Sequence, residues 1–286
     1  MKIRSEVLEG MCADAALTGY ATGDVLFLDI ETTGFSSRHD FLYLIGAVVY
    51  REDRWQAFQW FSERPEEEPL IIEAFLEFSA SYPVLIHFNG TTFDLPFLEG
   101  IAKRHKMACT LREKTSVDLY RELRPLKKLF GLEQMTLASL QRLTGCGRED
   151  AGSGRDMIQI YQRYVSGYFP DYLEVLLQHN REDLRATVSL VQLLAYRRLL
   201  EGGFSVSRVF PEEDHVNAVL VPEHPLPGGD GIPETVRFKV QEGAEGREMT
   251  LHLAAGNDPC MLQVPAETGV MRHYLPEWKE YYYLPE

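Results

Sequence analysis

Apolar runs and alternations divide the chain into a long first part with mixed strand and helix signals and a shorter last part with strand signals alone. Residues 25–31, VLFLDIE, form an apolar run closing on two acids, the pattern of a strand buried on both faces. Residues 41–50 (FLYLIGAVVY) and 54–61 (RWQAFQWF), split by the turn residues REDR, predict two further strands in an antiparallel meander with the first. Leu70, Ile71, Ala74, Phe75 and Phe78 recur at three-and-four spacing and predict a helix over 65–79. Glu66, Glu67 and Glu68 fall in its first turn, where the helix dipole favours acids. Residues 84–88 predict a fourth strand, followed by the turn NGTTFD and a helix opened by Pro96. Residues 115–119 read as a short fifth strand. From 136 to 201 the spacing is helical, with Thr136, Ser153 and Asp171 as expected caps. Residues 1–19 have weaker periodicity and are expected to form a short leading helix.

Gly202, Gly203 and the run SRVFPEED punctuate the end of this part. Beyond them, short alternating segments at 218–221, 235–240, 249–254 and 261–264 are joined by turns such as PLPGGDGIP. The expected organisation is an α/β domain over 1–203 and a small β-rich module or appendage of open role over 204–286. The aromatic close HYLPEWKEYYYLPE fits a tail that docks on the body, and equally a chain that continues into a longer protein.

Composition narrows the class. The chain has 286 residues, 45% of them hydrophobic, and can bury a sizeable core. No stretch approaches the roughly 18 apolar residues of a membrane helix. Acids at Glu6, Glu9 and Asp14 break any secretory signal near the start. Four cysteines without CxxC spacing read as reduced, buried thiols, so a cytoplasmic protein without a membrane partner is expected. Net charge is −14, which excludes a histone-like binder. The charge is uneven, however. Residues 1–100 carry 6 bases against 17 acids, residues 101–200 carry 17 against 11, and residues 201–286 carry 6 against 15. Nine bases against three acids lie within 103–128, a candidate track for a nucleic-acid backbone and equally a solvated charge run.

Three segments carry candidate chemistry. Asp29 and Glu31, two apart at the end of an apolar strand, point to one face. Adjacent carboxylates there repel each other and resist burial unless cations neutralise them. In HFNGTTFDLPFL, Asp94 sits just ahead of Pro96, where it can cap the helix and still present a carboxylate; Asn89 either pins the turn or touches substrate. In HNRED, His179 and Asp183 are four apart on one helical face, with His179 at the lip of the cluster and Glu182 pointing to solvent.

FLDIETTGF, HFNGTTFDLPFL and HNREDL, in this order, resemble the three motifs of the DEDD superfamily of 3′–5′ exonucleases on the ribonuclease H-like fold. Within it the chain is most similar to the YprB-like group of predicted exonucleases, over about residues 25–200. The resemblance implies a mixed five-stranded sheet with the first strand at its centre. It matches the family's four acids to Asp29, Glu31, Asp94 and Asp183, and Asp118 in SVDLY to an aspartate that is structural or substrate-facing. The family carries a tyrosine four residues before its last aspartate or a histidine five before it. This chain places a histidine at the tyrosine's spacing, and one residue turns a helical side chain by about 100°.

Such a cluster suits phosphodiester hydrolysis with two divalent ions, and oxygen ligands select Mg²⁺ or Mn²⁺. His179 is the candidate general base. The expected substrate is the 3′ end of single-stranded DNA or RNA, released as nucleoside 5′-monophosphates. Thr32, Thr33, Gly34, Phe35, Asn89 and Asp118 are the candidate substrate contacts, with Phe35 stacking on a base or packing on the protein. A structure-specific endonuclease and a catalytically silent nucleic-acid-binding domain are the alternative readings. The last part of the chain is the candidate contact for protein partners.

Overall fold

The computed structural model describes residues 1–266 except 12, 148–151, 153, 168 and 243–244. Cys12, Ser153 and the aromatic close of the chain therefore lie outside the described residues. The first part runs β1 (Lys2–Val7), β2 (Val25–Thr32), β3 (Leu42–Arg51), β4 (Arg54–Phe61), α1 (Glu68–Ser79), β5 (Val84–His87), α2 (Asp94–Arg104), β6 (Thr115–Asp118), α3 (Leu119–Leu123), α4 (Leu137–Arg142), α5 (Gly154–Gly167), α6 (Pro170–Leu190) and α7 (Leu194–Leu200). The second part is all strand: β7 (Phe204–Pro211), β8 (His215–Pro222), β9 (Thr235–Glu242), β10 (Glu245–His252) and β11 (Cys260–Pro265).

The first sheet has the order β1-β4-β3-β2-β5-β6. It is mixed: β2, β3, β4 and β1 pair antiparallel, whereas β5 and β6 join β2 in parallel. The five expected strands are present, and β1 adds a sixth where a leading helix was expected. β1 is mostly exposed and lies at the sheet edge, so its sequence lacks the alternation that burial imposes. Ion pairs of Arg4 with Glu174 at 2.8 Å and of Glu6 with Arg181 at 3.3 Å tie it to α6 instead.

β2 is covered on both faces, which explains its apolar run. Leu26, Leu28 and Ile30 pack with Ile71, Phe75, Leu98 and Ile101 of α1 and α2. Val25 and Phe27 face the other way, into a core shared with Leu184 and Val188 of α6 and Tyr196 of α7. Alternation sends Asp29 and Glu31 to this second face, beneath α6.

Thr136 caps α4 through a capping box with Ser139. Asp171 is no cap: Phe169 precedes α6, Pro170 opens it, and Asp171 lies in the first turn. The second sheet has the order β7-β8-β11-β10-β9 and is antiparallel throughout. Its first strand, β7, occupies the run that reads as punctuation in the sequence. Leu220, Leu251 and Cys260 of this sheet belong to the same contiguous core as Leu194, Leu199 and Phe130. Cys260 is buried as expected, but Cys109 and Cys146 are only half-buried.

Candidate metal and active site

The end of β2, the start of α2 and the middle of α6 converge. Glu31 and Asp94 are buried, and His179 is buried rather than at the lip. His179 Nε2 lies 3.8 Å from Glu31 Oε1 and 3.6 Å from Asp183 Oδ2, so the imidazole stands between the two acids. One ligand atom from each of Glu31, His179 and Asp183 falls within 4.8 Å of the others. The four-residue offset thus brings the histidine into the cluster as a candidate ligand as well as a base.

Asp29 and Asp94 complete the group through their fields. Asp29 is half-buried. Burial, then the charges of Asp183, Glu31 and Asp94, hold it well above the usual carboxylate range, while a hydrogen bond from Asn180 opposes the rise. Burial pushes Asp94 up to about 7, helped by Asp118 and Asp183 and opposed by the backbone N–H groups of Asp94 itself and Ile30. Asp94 is the first residue of α2 and not its cap, which is Phe93. Its carboxylate accepts from its own N–H and from that of Ile30, and feels the charges of Asp118 and Asp183.

Tyr43 closes the cluster from β3. It is fully buried, stacks on Tyr161 at 4.1 Å between centroids, and its hydroxyl donates to Glu31 Oε2 at 3.4 Å. Burial, then Glu31, raises the phenol well above its ordinary value, so it stays a donor. Asn180, fully buried, donates to Asp29 Oδ2 at 2.7 Å. Neither residue is legible as functional in the sequence, because each acquires its role from the element opposite. Glu182, expected in solvent, is buried, since α4 and α5 as well as the sheet pack against α6.

The turn carrying Asp94 is held by Asp118. Buried Asp118 accepts from the backbone N–H groups of Asn89, Thr91 and Tyr120 at 2.9, 3.3 and 3.1 Å. Asn89 adopts φ 62° in this turn, and its side chain accepts from Thr92. His87 beneath it accepts from Gly90 N–H at 3.1 Å and lies 2.8 Å from Ser116 Oγ; burial lowers it to about 4.

The loop leaving β2 is equally fixed. Thr32 Oγ1 donates to the Gly34 carbonyl, Thr33 Oγ1 accepts from Phe41 N–H, and Asp40 accepts from Ser36 N–H. A Cβ on Gly34 would collide with the Asp40 carboxylate and displace the side chain that holds Ser36 N–H. The loop presents Phe35, 88% exposed, with the Phe93 ring at 6.0 Å between centroids.

Four of the nine bases of 103–128 have partners within the protein. Arg104 binds Glu68 and the carbonyls of Ser37 and Asp40, Arg112 pairs with Glu99, Lys114 donates to the carbonyls of Ser79 and Tyr82, and Arg121 lies 3.8 Å from Asp118.

Carboxylate oxygens and one imidazole nitrogen within a few ångströms suit a divalent cation, and acids raised by one another's charge are what a cation relieves. The residues present therefore fit a metal centre.

Sequence comparison with curated proteins finds no significant match. Among solved structures, the family B DNA polymerase from the hyperthermophilic archaeon Pyrobaculum calidifontis is similar with a TM-score of 0.50 and 15% identity. The likeness covers 74% of this chain and 33% of the polymerase, so the chain spans about a third of that protein, and it concerns the fold alone. A protein described as the apo form of a nuclease has a TM-score of 0.40 and 14% identity over 67% of this chain and 80% of its own. No helix among the described residues is long and apolar enough to cross a membrane. The sequence profile of the RNase H superfamily matches residues 26–195, more than half of the chain and the segment that builds the acidic site, and the chain belongs to that superfamily.

Proposed function

We propose that the protein is a metal-dependent 3′–5′ exonuclease of the DEDD type, acting on single-stranded DNA or RNA. The observation that carries this reading is the gathering of Asp29, Glu31, Asp94 and Asp183 from β2, α2 and α6, with two of them raised by burial and mutual charge. These four acids would hold two Mg²⁺ or Mn²⁺ ions, which supply positive charge to the scissile phosphate and the leaving 3′ oxygen.

The chain's own groups do the rest. His179, between Glu31 and Asp183, is positioned to take a proton from the attacking water. Tyr43 holds Glu31, and Asp118 holds the turn that delivers Asp94. Thr32, Thr33 and Gly34 stiffen the loop so that Phe35 is offered to a terminal base. Asn89, exposed at the same end of the sheet, is within the reach of a strand entering there. Arg38 and Lys103 border one open depression beside that loop and suit the next phosphates. We assign residues 1–203 to the nuclease domain and 204–286 to an appendage available to protein partners, in a cytoplasmic protein.

End-labelled single strands of DNA and RNA, linear and circular, incubated with Mn²⁺, Mg²⁺ or EDTA, test the reading. Linear strands should shorten from the 3′ end in single steps with either metal, and circles should persist. Cleavage of circles at a comparable rate would replace the reading with the endonuclease, and no cleavage with binding intact would replace it with the silent binder.

A further inference from the structure

We propose that Gln59 and Asn180 form a two-amide relay that aims Asp29 at the metal, making both of them positioning residues; the inference rests on the metal-dependent reading above. It begins with sheet register. Asp29 on β2 stands opposite Gly46 on β3, and Gly46 stands opposite Gln59 on β4. Strands about 4.8 Å apart separate Asp29 and Gln59 by roughly 10 Å, too far for a direct bond between their side chains. The missing side chain of Gly46 leaves a gap in the row, and α6 fills it with Asn180.

Both amides are buried, Asn180 completely. Asn180 Nδ2 donates to Asp29 Oδ2 at 2.7 Å, and Asn180 Oδ1 accepts from Gln59 Nε2 at 2.8 Å. Gln59 Nε2 also donates to the Leu177 carbonyl at 2.9 Å. A Cβ on Gly46 would fall on Asn180 Oδ1 and lie 2.7 Å from Leu184 Cδ1, so the glycine is a requirement of this contact.

The chain of bonds has one direction. A carbonyl oxygen can only accept, so Leu177 fixes the amide nitrogen of Gln59 toward α6. That nitrogen then demands an acceptor, which turns Oδ1 of Asn180 toward β4. Nδ2 is left facing Asp29, which accepts when ionised. A flipped Asn180 would aim a lone pair at the carboxylate. With one oxygen held, Asp29 meets an ion with its rotamer already chosen, and an outer partner of this kind is typically worth about 10- to 100-fold in metal affinity.

Manganese titration of the metal-free full chain by calorimetry, with melting in EDTA measured alongside, tests the relay. Gln59→Met keeps the length and removes the donor; Gln59→Glu keeps the shape and would pull the Asn180 nitrogen toward itself. Q59M should weaken Mn²⁺ binding about tenfold and Q59E further, and N180A should weaken it at least as much as Q59M. In the N180A background, Q59M should have no additional effect, because Gln59 acts only through Asn180. Gly46→Ala, which leaves both amides in place but displaces Asn180, should give the same loss by a separate route. A lowered melting temperature with Mn²⁺ affinity unchanged in Q59M and G46A, or losses from Q59M and N180A that multiply in the double variant, would overturn the relay. Failure of the parent to take up Mn²⁺ would overturn the metal reading itself and the relay's role with it.

Discussion

Two buried acidic centres flank the loop that leaves β2, and they are built in opposite ways. Glu68, 1% exposed at the start of α1, is surrounded by donors: Leu42 N–H at 2.8 Å, the Arg104 guanidinium, and His105 Nε2 at 2.6 Å. Arg104 goes on to hold the carbonyls of Ser37 and Asp40, so this centre locks the loop. On the other side of the loop, half-buried Asp29 and buried Asp94 stand among further carboxylates, and burial first, then those charges, raises them. A buried acid with donors closed over it is doing structural work. Buried acids crowded on one another store a charge conflict that an external cation resolves. Burial alone does not separate the two kinds; the sign of the surroundings does.

Truncation should separate the centres most sharply. Asp29→Ala should abolish Mn²⁺ binding and hydrolysis while leaving the metal-free fold at least as stable as the parent. Glu68→Ala should do the reverse, lowering stability by about 1–3 kcal/mol because it leaves the Leu42 N–H without its acceptor and Arg104 without its carboxylate, while Mn²⁺ still binds the folded fraction. Denaturant melts in EDTA combined with Mn²⁺ titration check both. A D29A protein that melts far below the parent in EDTA would make the two centres equivalent.

His179→Ala should lower kcat by about 10²- to 10⁴-fold if the imidazole takes the proton. His179→Tyr, which restores the residue type that fits the four-residue spacing, should retain more activity than H179A. Full activity in H179A would leave the carboxylates as the whole catalytic apparatus. Phe35→Ala should raise KM for oligonucleotides by an amount equivalent to about 1–3 kcal/mol, with little change in kcat. An unchanged KM would make Phe35 a partner of Phe93 only.

The smallest effect is on pH. Asp94, raised from the usual carboxylate range to about 7, binds a proton in the folded state where the unfolded chain has lost it. Stability of the metal-free protein should therefore fall as pH rises from about 4 to about 7 and level off above, the direction opposite to a salt-bridged acid. Melts in EDTA at pH 5 and pH 8 should differ by a few degrees, and Asp94→Asn should shrink the difference. A melting temperature that rises over this range in the parent would contradict the charge conflict.

The contrast also explains which parts of the molecule are legible in the sequence. VLFLDIE announces both its strand and its acids, because an apolar run ending in two carboxylates has few other uses. The motifs around Asp94 and Asp183 follow by order and by helix spacing. β1 escapes because an exposed edge strand carries no burial pattern, and the partners of Arg104, Arg112 and Lys114 cannot be read from the lysine- and arginine-rich run because they lie on other elements. Tyr43, Gly46, Gln59 and Asn180 are invisible for a different reason. Their meaning depends on which residues stand opposite one another across strands, and register is set by the fold rather than by neighbours in the chain. Glu182 is misread on the same ground, since helical spacing cannot foresee that α4 and α5 also cover α6.

The central claim is that the site acids are destabilised by burial and by one another and relieved by a cation. Calorimetric melting of the parent and of Asp94→Asn at pH 8, each in EDTA and in excess Mn²⁺, tests it directly. The account predicts that D94N melts higher than the parent in EDTA, and that Mn²⁺ raises the parent's melting temperature while leaving that of D94N nearly unmoved. A D94N protein that melts lower than the parent in EDTA, with the Mn²⁺ increment intact, would show Asp94 to be a structural acid of the Glu68 kind and would contradict the account.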